Sequence, residues 1–164
     1  MSRYHDYLRW LYKGGRPNRL ARLQNSASAA VFARGVLPRR AASLEVRGRK
    51  SGRTVSLPVV IADLAGERYL VSMLGEGANW VQHVRADHGQ AILRHGRCES
   101  VTLEEVPVED RPAILRRYLD VAPGARPHIP VERSAPIADF ERIAPSFPVF
   151  RIVATGGRKD PSIR

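Results

Sequence analysis

The fold is decided by the stretch Ser43–Leu57, which reads SLEVRGRKSGRTVSL. Apolar and polar side chains alternate at both ends of this stretch, which predicts two half-buried strands. Between them lies Gly48–Arg53, a segment with two glycines and three cations that we call the basic turn. Its charges, its Ser51 hydroxyl and its freed backbone N–H groups suit a phosphate or carboxylate. The pattern therefore predicts a hairpin whose tip binds an anion; a solvated basic loop is the alternative.

Composition indicates one compact domain over residues 1–164. The chain is 43% hydrophobic and 26% charged, which is ordinary for a globular protein and sufficient for one core. The single Cys98 cannot form an internal disulfide, and we interpret it as a small strand residue of a protein in a reducing compartment. No apolar run reaches the roughly 20 residues of a spanning helix. We expect a cytoplasmic protein.

The positive charge is concentrated in the first third of the chain. The net charge is +11, and residues 1–53 hold 13 Arg or Lys against two acids, whereas residues 54–164 hold 14 of each sign. This asymmetry predicts a local basic face that ends in the basic turn. Its candidate partners are an anionic cofactor, a nucleic acid or an anionic membrane surface.

The two ends of the chain differ in pattern. Residues 1–35 predict two helices: Tyr4–Lys13, which mixes aromatic and basic residues, and a second helix that begins near Pro17 and ends at Gly35. We interpret the first as packed against the body, with a peripheral membrane contact as the alternative. Residues 156–164 are expected to form a disordered tail.

Six strands are predicted between these ends. Three more helices are expected between strands, one capped by Asn79, one over Glu109–Leu119 and one over Ile137–Ile143. The first three strands should follow one another as a meander, and Pro58 predicts a bulge or a sheet edge. The run Val59–Ile61 is expected to be buried on both faces. We therefore expect a mainly β protein, a six-stranded antiparallel barrel decorated by helices. The predicted strands are Ala42–Val46, Thr54–Asp63, Tyr69–Leu74, Gln90–His95, Cys98–Val106 and Phe147–Val153.

Common catalytic motifs do not occur. The sequence has no G-x-S-x-G, P-loop, C-x-x-C or H-E-x-x-H pattern, which argues against the corresponding hydrolase, nucleotide, thiol and zinc chemistries. His83, His88 and His95 lack the spacing of a metal site, so no metal is expected. Trp80 is interpreted as a core residue, or as a residue of the barrel mouth if the Gly75–Ala78 bend forms a lip.

An ordered set of motifs resembles the deazaflavin-dependent nitroreductase family, split β-barrels that bind coenzyme F420. The set comprises Leu44–Arg53, Leu57-Pro58, Gly75, Asn79-Trp80 with Arg85-Ala86, and Pro148–Phe150, and the resemblance spans roughly residues 9–153. It implies that the basic turn holds the phosphate and oligoglutamate tail of the cofactor. The implied cofactor-binding residues are Arg49, Lys50, Ser51, Gly52 and Arg53 in the turn; Val55, Pro58, Ser72, Met73, Leu74 and Gly75 around the deazaflavin ring and ribityl chain; and Asn79, Trp80 and His83 on the tryptophan helix.

The sequence departs from the family pattern at two places. His83 stands where the family usually has Asn, which changes the donor and acceptor pattern of that side chain. Family nitroreductases also have tyrosines before the last strand, whereas Val121–Ser146 contains none. Trp80, Tyr118 and His128 are the remaining candidates for substrate contacts.

The function that the resemblance implies is hydride transfer from reduced deazaflavin to a small electron-poor acceptor, such as a nitro compound, a quinone or an enone. The cofactor would supply the chemistry, so no catalytic side chain is required. The alternatives are a related barrel that uses FMN, and a non-catalytic module that binds nucleic acid, another anion or a membrane surface. A homodimer is a further expectation.

Overall fold

A computed structural model describes residues 40–155 of the protein; the predicted helical segment 1–35 and the tail 156–164 lie outside them. Seven strands form within this range, together with three α-helices. The helices are α1 (Asn79–Ala86), α2 (Arg111–Val121) and α3 (Ile137–Ile143). The strands are β1 (Ala41–Arg47), β2 (Thr54–Val60), β3 (Ala62–Leu64), β4 (Glu67–Val71), β5 (Gln90–His95), β6 (Arg97–Glu105) and β7 (Val149–Ala154).

All seven strands belong to one antiparallel sheet, in the order β2-β1-β5-β6-β7-β4-β3. The strands β2 and β3 lie at opposite edges of this order, yet only Ile61 separates them along the chain. The two edges must therefore approach each other, so the sheet curls into a half-barrel. The predicted class, a mainly β antiparallel barrel with helices, is confirmed.

The prediction of one strand over Thr54–Asp63 was wrong, and so was the meander. The backbone N–H of Ile61 donates to the carbonyl of Arg40 at 2.7 Å, which is the last bond between this segment and the start of β1. Beyond that point β1 offers no further partner, so the chain crosses to the other edge and pairs with β4. This break gives seven strands instead of six.

Pro58 lies on an edge strand, as predicted. The strand β2 pairs only with β1 among the described strands, and Pro58 stands opposite Ser43 in that ladder. An edge position also explains why Val59–Ile61 is half-buried instead of buried on both faces. The missing N–H of Pro58 is tolerated because no described strand requires it.

The ladders place the functional elements at one end of the barrel. Glu45 pairs with Ile92, Gln90 with Thr102, and Glu105 with Phe150. The C-terminal ends of β1, β4 and β6 and the N-terminal ends of β5 and β7 therefore lie together. We call this the turn end, because it carries the basic turn; α1 and the segment 72–78 lie there too.

The interior of the barrel is filled by apolar side chains and by α1. Leu44 and Val46 of β1 are buried with Phe150 of β7, and Val81 and Val84 of α1 join the same cluster. These two residues are three positions apart, so they lie on one face of the helix. The helix α1 is therefore held by the barrel interior, while its other face is available at the turn end.

A second cluster lies between the sheet and the helices α2 and α3. Leu115 and Leu119 of α2 are fully buried with Phe140 of α3 and Val149 of β7. The helix α2 begins at Arg111, two residues later than predicted, because a 3-10 turn occupies Val108–Asp110. The predicted helix α3 is confirmed, and the last strand begins at Val149 instead of Phe147.

Candidate functional site

The basic turn is closed by backbone hydrogen bonds at its base. Gly48 N–H donates to the Arg53 carbonyl and Gly52 N–H donates to the Gly48 carbonyl, both at 2.8 Å. Gly52 has a φ of 67°, a conformation that glycine adopts without steric cost. A Cβ at Gly48 would lie 2.9 Å from Ser51 Oγ, so a side chain there would displace the hydroxyl. Both glycines are thus required by the shape of the turn.

The middle of the turn presents its donors outward. Arg49, Lys50, Ser51 and Arg53 are all exposed. The backbone N–H groups of Lys50 and Ser51 form no hydrogen bond within residues 40–155. Ser51 Oγ accepts from the Arg53 N–H at 3.3 Å, which leaves its own O–H free to donate. The turn therefore offers N–H, O–H and cationic donors on one surface.

Arg47 is a further member of this surface that the sequence did not single out. Its guanidinium lies 3.8 Å from the position that a Cβ of Gly52 would occupy, so the side chain runs along the turn. Like Arg49, Lys50 and Arg53, it forms no ion pair with any residue from 40 to 155. Its position was available from the alternation of β1, which places Arg47 and Glu45 on one face.

The cations of the turn lack ion-pair partners among residues 40–155, whereas most other cations in this range have them. Nine arginines elsewhere in residues 40–155 form ion pairs with carboxylates. Bidentate pairing with Glu99 is seen at Arg68, for example, with N–O distances of 3.0 and 2.5 Å. Cations on one turn that have no carboxylate partner among residues 40–155 create a local positive potential. An anionic ligand is the partner that this surface fits.

The tryptophan helix α1 contacts the turn through His83. The backbone N–H of Arg49 donates to His83 Nδ1 at 3.3 Å. Partial burial lowers the pKa of His83 below its ordinary value of 6.5, and the Arg49 charge lowers it further. The ring is therefore neutral at neutral pH. Asn79, predicted to cap α1, is instead its first helical residue; Ala78 precedes it with extended backbone and no side-chain cap.

The predicted Ser72–Gly75 segment forms a tight bend beside the start of β7. Ser72 is buried, its N–H donates to the Pro148 carbonyl at 2.9 Å and its hydroxyl donates to the Gly75 carbonyl at 2.8 Å. Gly75 has a φ of 77°, and a Cβ there would lie 3.0 Å from the Ser146 carbonyl oxygen. Met73 and Leu74 are half-buried in this bend. The bend is thus fixed in shape.

A network of ion pairs holds the loop that follows the Ser72–Gly75 bend. Arg85 of α1 donates to both Glu76, at 2.7 and 3.2 Å, and Glu105, at 2.9 and 2.6 Å. Glu105 also accepts from the buried Arg111 of α2 at 3.2 Å. This network ties the loop, α1, β6 and α2 together, and it lowers the pKa of Glu76 through the Arg85 hydrogen bond.

Trp80 joins the barrel core and stays half-exposed. Its ring centroid lies 5.4 Å from that of Phe150, with the two planes tilted by 57°. Its side chain packs against the buried cluster that contains Leu44, Val81 and Phe150. Packing against the core agrees with the first interpretation of Trp80, and its place at the barrel mouth stays a prediction.

The structure separates Val55 from Pro58. Val55 lies beside Gly48, because its Cγ2 is 3.6 Å from the position of a Cβ there, and it is one of the few exposed large apolar residues. Three residues further along β2, Pro58 must project from the opposite face of the strand. The two residues therefore cannot line one surface through their side chains.

Tyr118 is not available to a substrate. It is only 5% exposed and lies in the cluster under α2, where burial raises the pKa of its hydroxyl above the ordinary value. Helical periodicity from Ile114 and Leu115 could have indicated this, because residues three and four apart share a face. His128 is half-buried in the loop after α2, and its backbone N–H donates to the Ala125 carbonyl at 3.0 Å.

The three histidines that the sequence placed near one another lie on different elements. His83 is on α1, His88 in the turn after it and His95 at the end of β5, where its Nδ1 lies 2.6 Å from the Ala41 carbonyl oxygen. No group of three His, Cys, Asp or Glu side chains arranged for a metal is found in the described part of the chain. Within the same part, no helix has the length and apolar character needed to cross a bilayer.

A cleft of about 340 Å³ opens at the end of the barrel opposite the basic turn. Apolar side chains and the Arg68–Glu99 ion pair both line it. None of the predicted site residues contributes to it, so the cleft and the cationic surface are separate features. The lining residues are Ala42, Ile61, Arg68, Leu93, His95, Arg97 and Glu99.

Comparisons with known proteins identify the fold. No protein-family model matches the chain, and no curated protein is significantly similar to it. Atu2129 of Agrobacterium tumefaciens, of unknown function, is similar with a TM-score of 0.54 and 12% identity, over 79% of this chain and 55% of that chain. A structure described as a domain-swapped dimer is similar with a TM-score of 0.50 and 16% identity, over 90% of this chain and 97% of that chain. An F420-H2-dependent reductase has a TM-score of 0.49 and 18% identity, over 71% of this chain and 96% of that chain. The first two similarities establish that the curled half-barrel is shared with solved proteins.

Proposed function

We propose that the protein is a deazaflavin-dependent oxidoreductase that holds the phosphate and oligoglutamate tail of F420 on the basic turn. The observation that carries this proposal is the set of four cations on and beside that turn, Arg47, Arg49, Lys50 and Arg53, none of which pairs with a residue from 40 to 155. The G-R-K-S-G pattern that resembles the deazaflavin family occupies the same position.

The residues present fit a ligand with several negative charges. Charge-assisted hydrogen bonds from arginine and lysine to phosphate or carboxylate are stronger than neutral ones. The unbonded N–H groups of Lys50 and Ser51 add directional donors, and the absence of a side chain at Gly48 keeps the hydroxyl of Ser51 in place. A single small anion would use only part of this surface.

The rest of the turn end suits the ring of the cofactor and its acceptor. The bend Ser72–Gly75 is held by the hydrogen bond from the Ser72 hydroxyl to the Gly75 carbonyl, and the half-buried Trp80 offers an apolar ring. We assign the ring and ribityl contacts to this bend and to one of the two β2 residues, Val55 or Pro58. Only one of them can line the same surface, because their side chains lie on opposite faces of β2. Asn79 is exposed on the first turn of α1 and belongs to the same contact set. Trp80 and His128 are the candidates for contact with the acceptor, whereas Tyr118 is buried and cannot contact it.

When bound, reduced deazaflavin would supply the hydride, so the reaction would need no nucleophile from the protein. The chain's own residues bind the tail, orient the ring and exclude water from it. The acceptor is a small electron-poor compound of the nitro, quinone or enone type, which takes up the hydride and a proton from solvent. A cytoplasmic location, a homodimer and a peripheral membrane contact through Tyr4–Lys13 stay predictions.

Cofactor binding is tested by titrating the full chain with oxidised F420, reduced F420 and FMN while fluorescence is recorded. We expect saturable binding of F420 in both states and weaker binding of FMN, because FMN lacks the oligoglutamate charges. Consumption of reduced F420 in the presence of nitro, quinone and enone compounds then identifies the acceptor class. Tight FMN binding without F420 binding would replace the proposal by the FMN alternative.

Replacement of Lys50 tests the role of the basic turn. Lys50→Ala should weaken F420 binding by tens of fold, since one charge-assisted contact contributes about 1.5–3 kcal/mol. The matched control is Arg97→Ala, which removes an exposed cation at the opposite end of the barrel that forms no ion pair with residues 40–155. This variant should leave the affinity within about twofold. Equal affinities of the two variants would contradict the assignment of the tail to the turn.

A further inference from the structure

The contact between His83 and the basic turn connects two segments that are far apart in the sequence. Arg49 and His83 are 34 positions apart, and the bond between them joins the tip of the β1–β2 hairpin to α1. The helix is itself anchored in the barrel by Val81 and Val84. The exposed part of the turn is therefore attached to a rigid element at the residue that begins its cationic run.

The direction of this hydrogen bond fixes the tautomer of the ring. The donor is the backbone N–H of Arg49, so His83 Nδ1 must accept with its lone pair. A neutral imidazole then carries its proton on Nε2. That N–H forms no hydrogen bond within residues 40–155, so it is a donor available at the turn end.

The surroundings of His83 favour this neutral form. The turn contributes the cation Arg49. The helix α1 carries Arg85, whose guanidinium is engaged by Glu76 and Glu105, and it ends at the C-cap residue Asp87, four positions after His83. Arg49 is the charged group that acts on the pKa of His83, and it lowers that pKa in addition to the effect of burial. No carboxylate in the described chain opposes this effect at the ring.

We infer that His83 is a positioning residue, which fixes the basic turn for its anionic ligand by accepting the Arg49 N–H, and that it acts only as the neutral Nε2–H tautomer. This inference rests on the proposed function for the nature of the ligand, but the contact itself does not. A protonated ring would place an Nδ1–H against the Arg49 N–H, and two donors cannot bond. The turn is then released from α1.

An asparagine can provide the same acceptor. The Oδ1 of Asn and the Nδ1 of His are each attached to Cγ, so Asn at position 83 reaches the Arg49 N–H with an oxygen that does not titrate. The hydrogen bond would persist at any pH. The variant His83→Asn is therefore a conservative test, and His83→Leu removes the acceptor altogether.

The contact is tested by nuclear magnetic resonance on the isotope-labelled full chain without ligand. We expect ring nitrogen shifts of the Nε2–H tautomer at neutral pH, and an Arg49 amide shift that follows the protonation of His83 as the pH falls. In His83→Asn the Arg49 amide should not titrate. The control is His88→Asn, since His88 is exposed and Asn accepts its φ of 51°. A neutral ring that carries its proton on Nδ1, or an Arg49 amide shift that does not follow the protonation of His83, overturns the inference.

The consequence for binding is tested separately with F420. We expect His83→Leu to weaken binding by about three- to tenfold, the value of one neutral hydrogen bond, and His83→Asn to retain the affinity within about twofold. Equal affinities of wild type and His83→Leu would overturn the positioning role. If the wild type binds no F420, the proposed function fails, and the Arg49 amide titration decides this inference without it.

Discussion

At the scale of single residues, Ala65 in the turn between β3 and β4 has a backbone conformation that is unfavourable for alanine. Ala65 has a φ of 52° and Gly66 a φ of 82°, so both central residues of this two-residue turn are left-handed. Such turns match the twist of a hairpin but favour Asn-Gly. Alanine pays a steric cost because its Cβ approaches the following carbonyl oxygen.

Replacement of this alanine should stabilise the protein. We expect Ala65→Asn to raise the free energy of unfolding by about 0.5–1 kcal/mol, because Asn tolerates the left-handed conformation. Urea unfolding of both proteins measures the difference. Ala138→Asn, at an exposed position inside α3, should instead lower the stability, since Asn is a poorer helix former. A loss of stability in Ala65→Asn would show that the turn is not the source of strain.

At the scale of elements, Arg111 joins α2 to the sheet and to the segment before β7. It is only 5% exposed, and it donates to the Val106 carbonyl at 2.8 Å, to the Ala144 carbonyl at 3.2 Å and to Glu105. Glu105 in turn holds Arg85 of α1. One buried guanidinium therefore satisfies three acceptors that belong to different elements.

The loss of this guanidinium should be costly. Arg111→Met keeps much of the apolar volume but leaves the buried Val106 carbonyl without its donor. It also removes one of two donors to the Ala144 carbonyl, which still accepts from the Phe147 N–H. We expect a loss of about 2–4 kcal/mol. The control Arg116→Met lies on the exposed face of the same helix and should change the stability by less than about 0.5 kcal/mol. Chemical denaturation of both variants gives the comparison. Similar values for the two would mean that solvent replaces Arg111 at its acceptors.

At the scale of the whole molecule, Asp63 of the edge strand β3 joins segments that are far apart in the sequence. Its carboxylate accepts from Arg40, which precedes β1, at 2.9 Å, and from Arg117 of α2 at 3.1 Å. Arg117 also donates to the Asp63 carbonyl at 3.0 Å. The hydrogen bond from Arg40, followed by that from Arg117, lowers the pKa of Asp63 from 3.8 to about 2.

This shift predicts a stability that depends on acid pH. The folded pKa is below the ordinary value, so the contribution of Asp63 is complete above about pH 4 and is lost as the pH falls towards about 2. The stability difference between wild type and Asp63→Asn should therefore shrink over that window. Urea midpoints of both proteins at several acid pH values measure it. When Arg40→Gln and Arg117→Gln are also present, the stability difference that Asp63→Asn causes should no longer depend on pH. A pH dependence that remains would show that these two arginines are not its cause.

Much of the fold could be read from local patterns. The alternation in Ser43–Leu57 predicted the β1–β2 hairpin, and its tip is the basic turn of the structure. Periodicity placed α1 and α3 and most strand bounds, because each of these signals comes from residues close together in the chain. The resemblance added the site at the turn end, whose ligand remains a proposal.

What the sequence by itself determined is therefore the elements and the cationic turn, since propensity, periodicity and charge are local properties. Only the tertiary structure decided the break at Ile61, the burial of Tyr118, the membership of Arg47 in the cationic surface and the bond between Arg49 and His83. Each of these depends on which distant residues become neighbours when the sheet curls. That closure is a property of the whole chain, so no short window of sequence contains it.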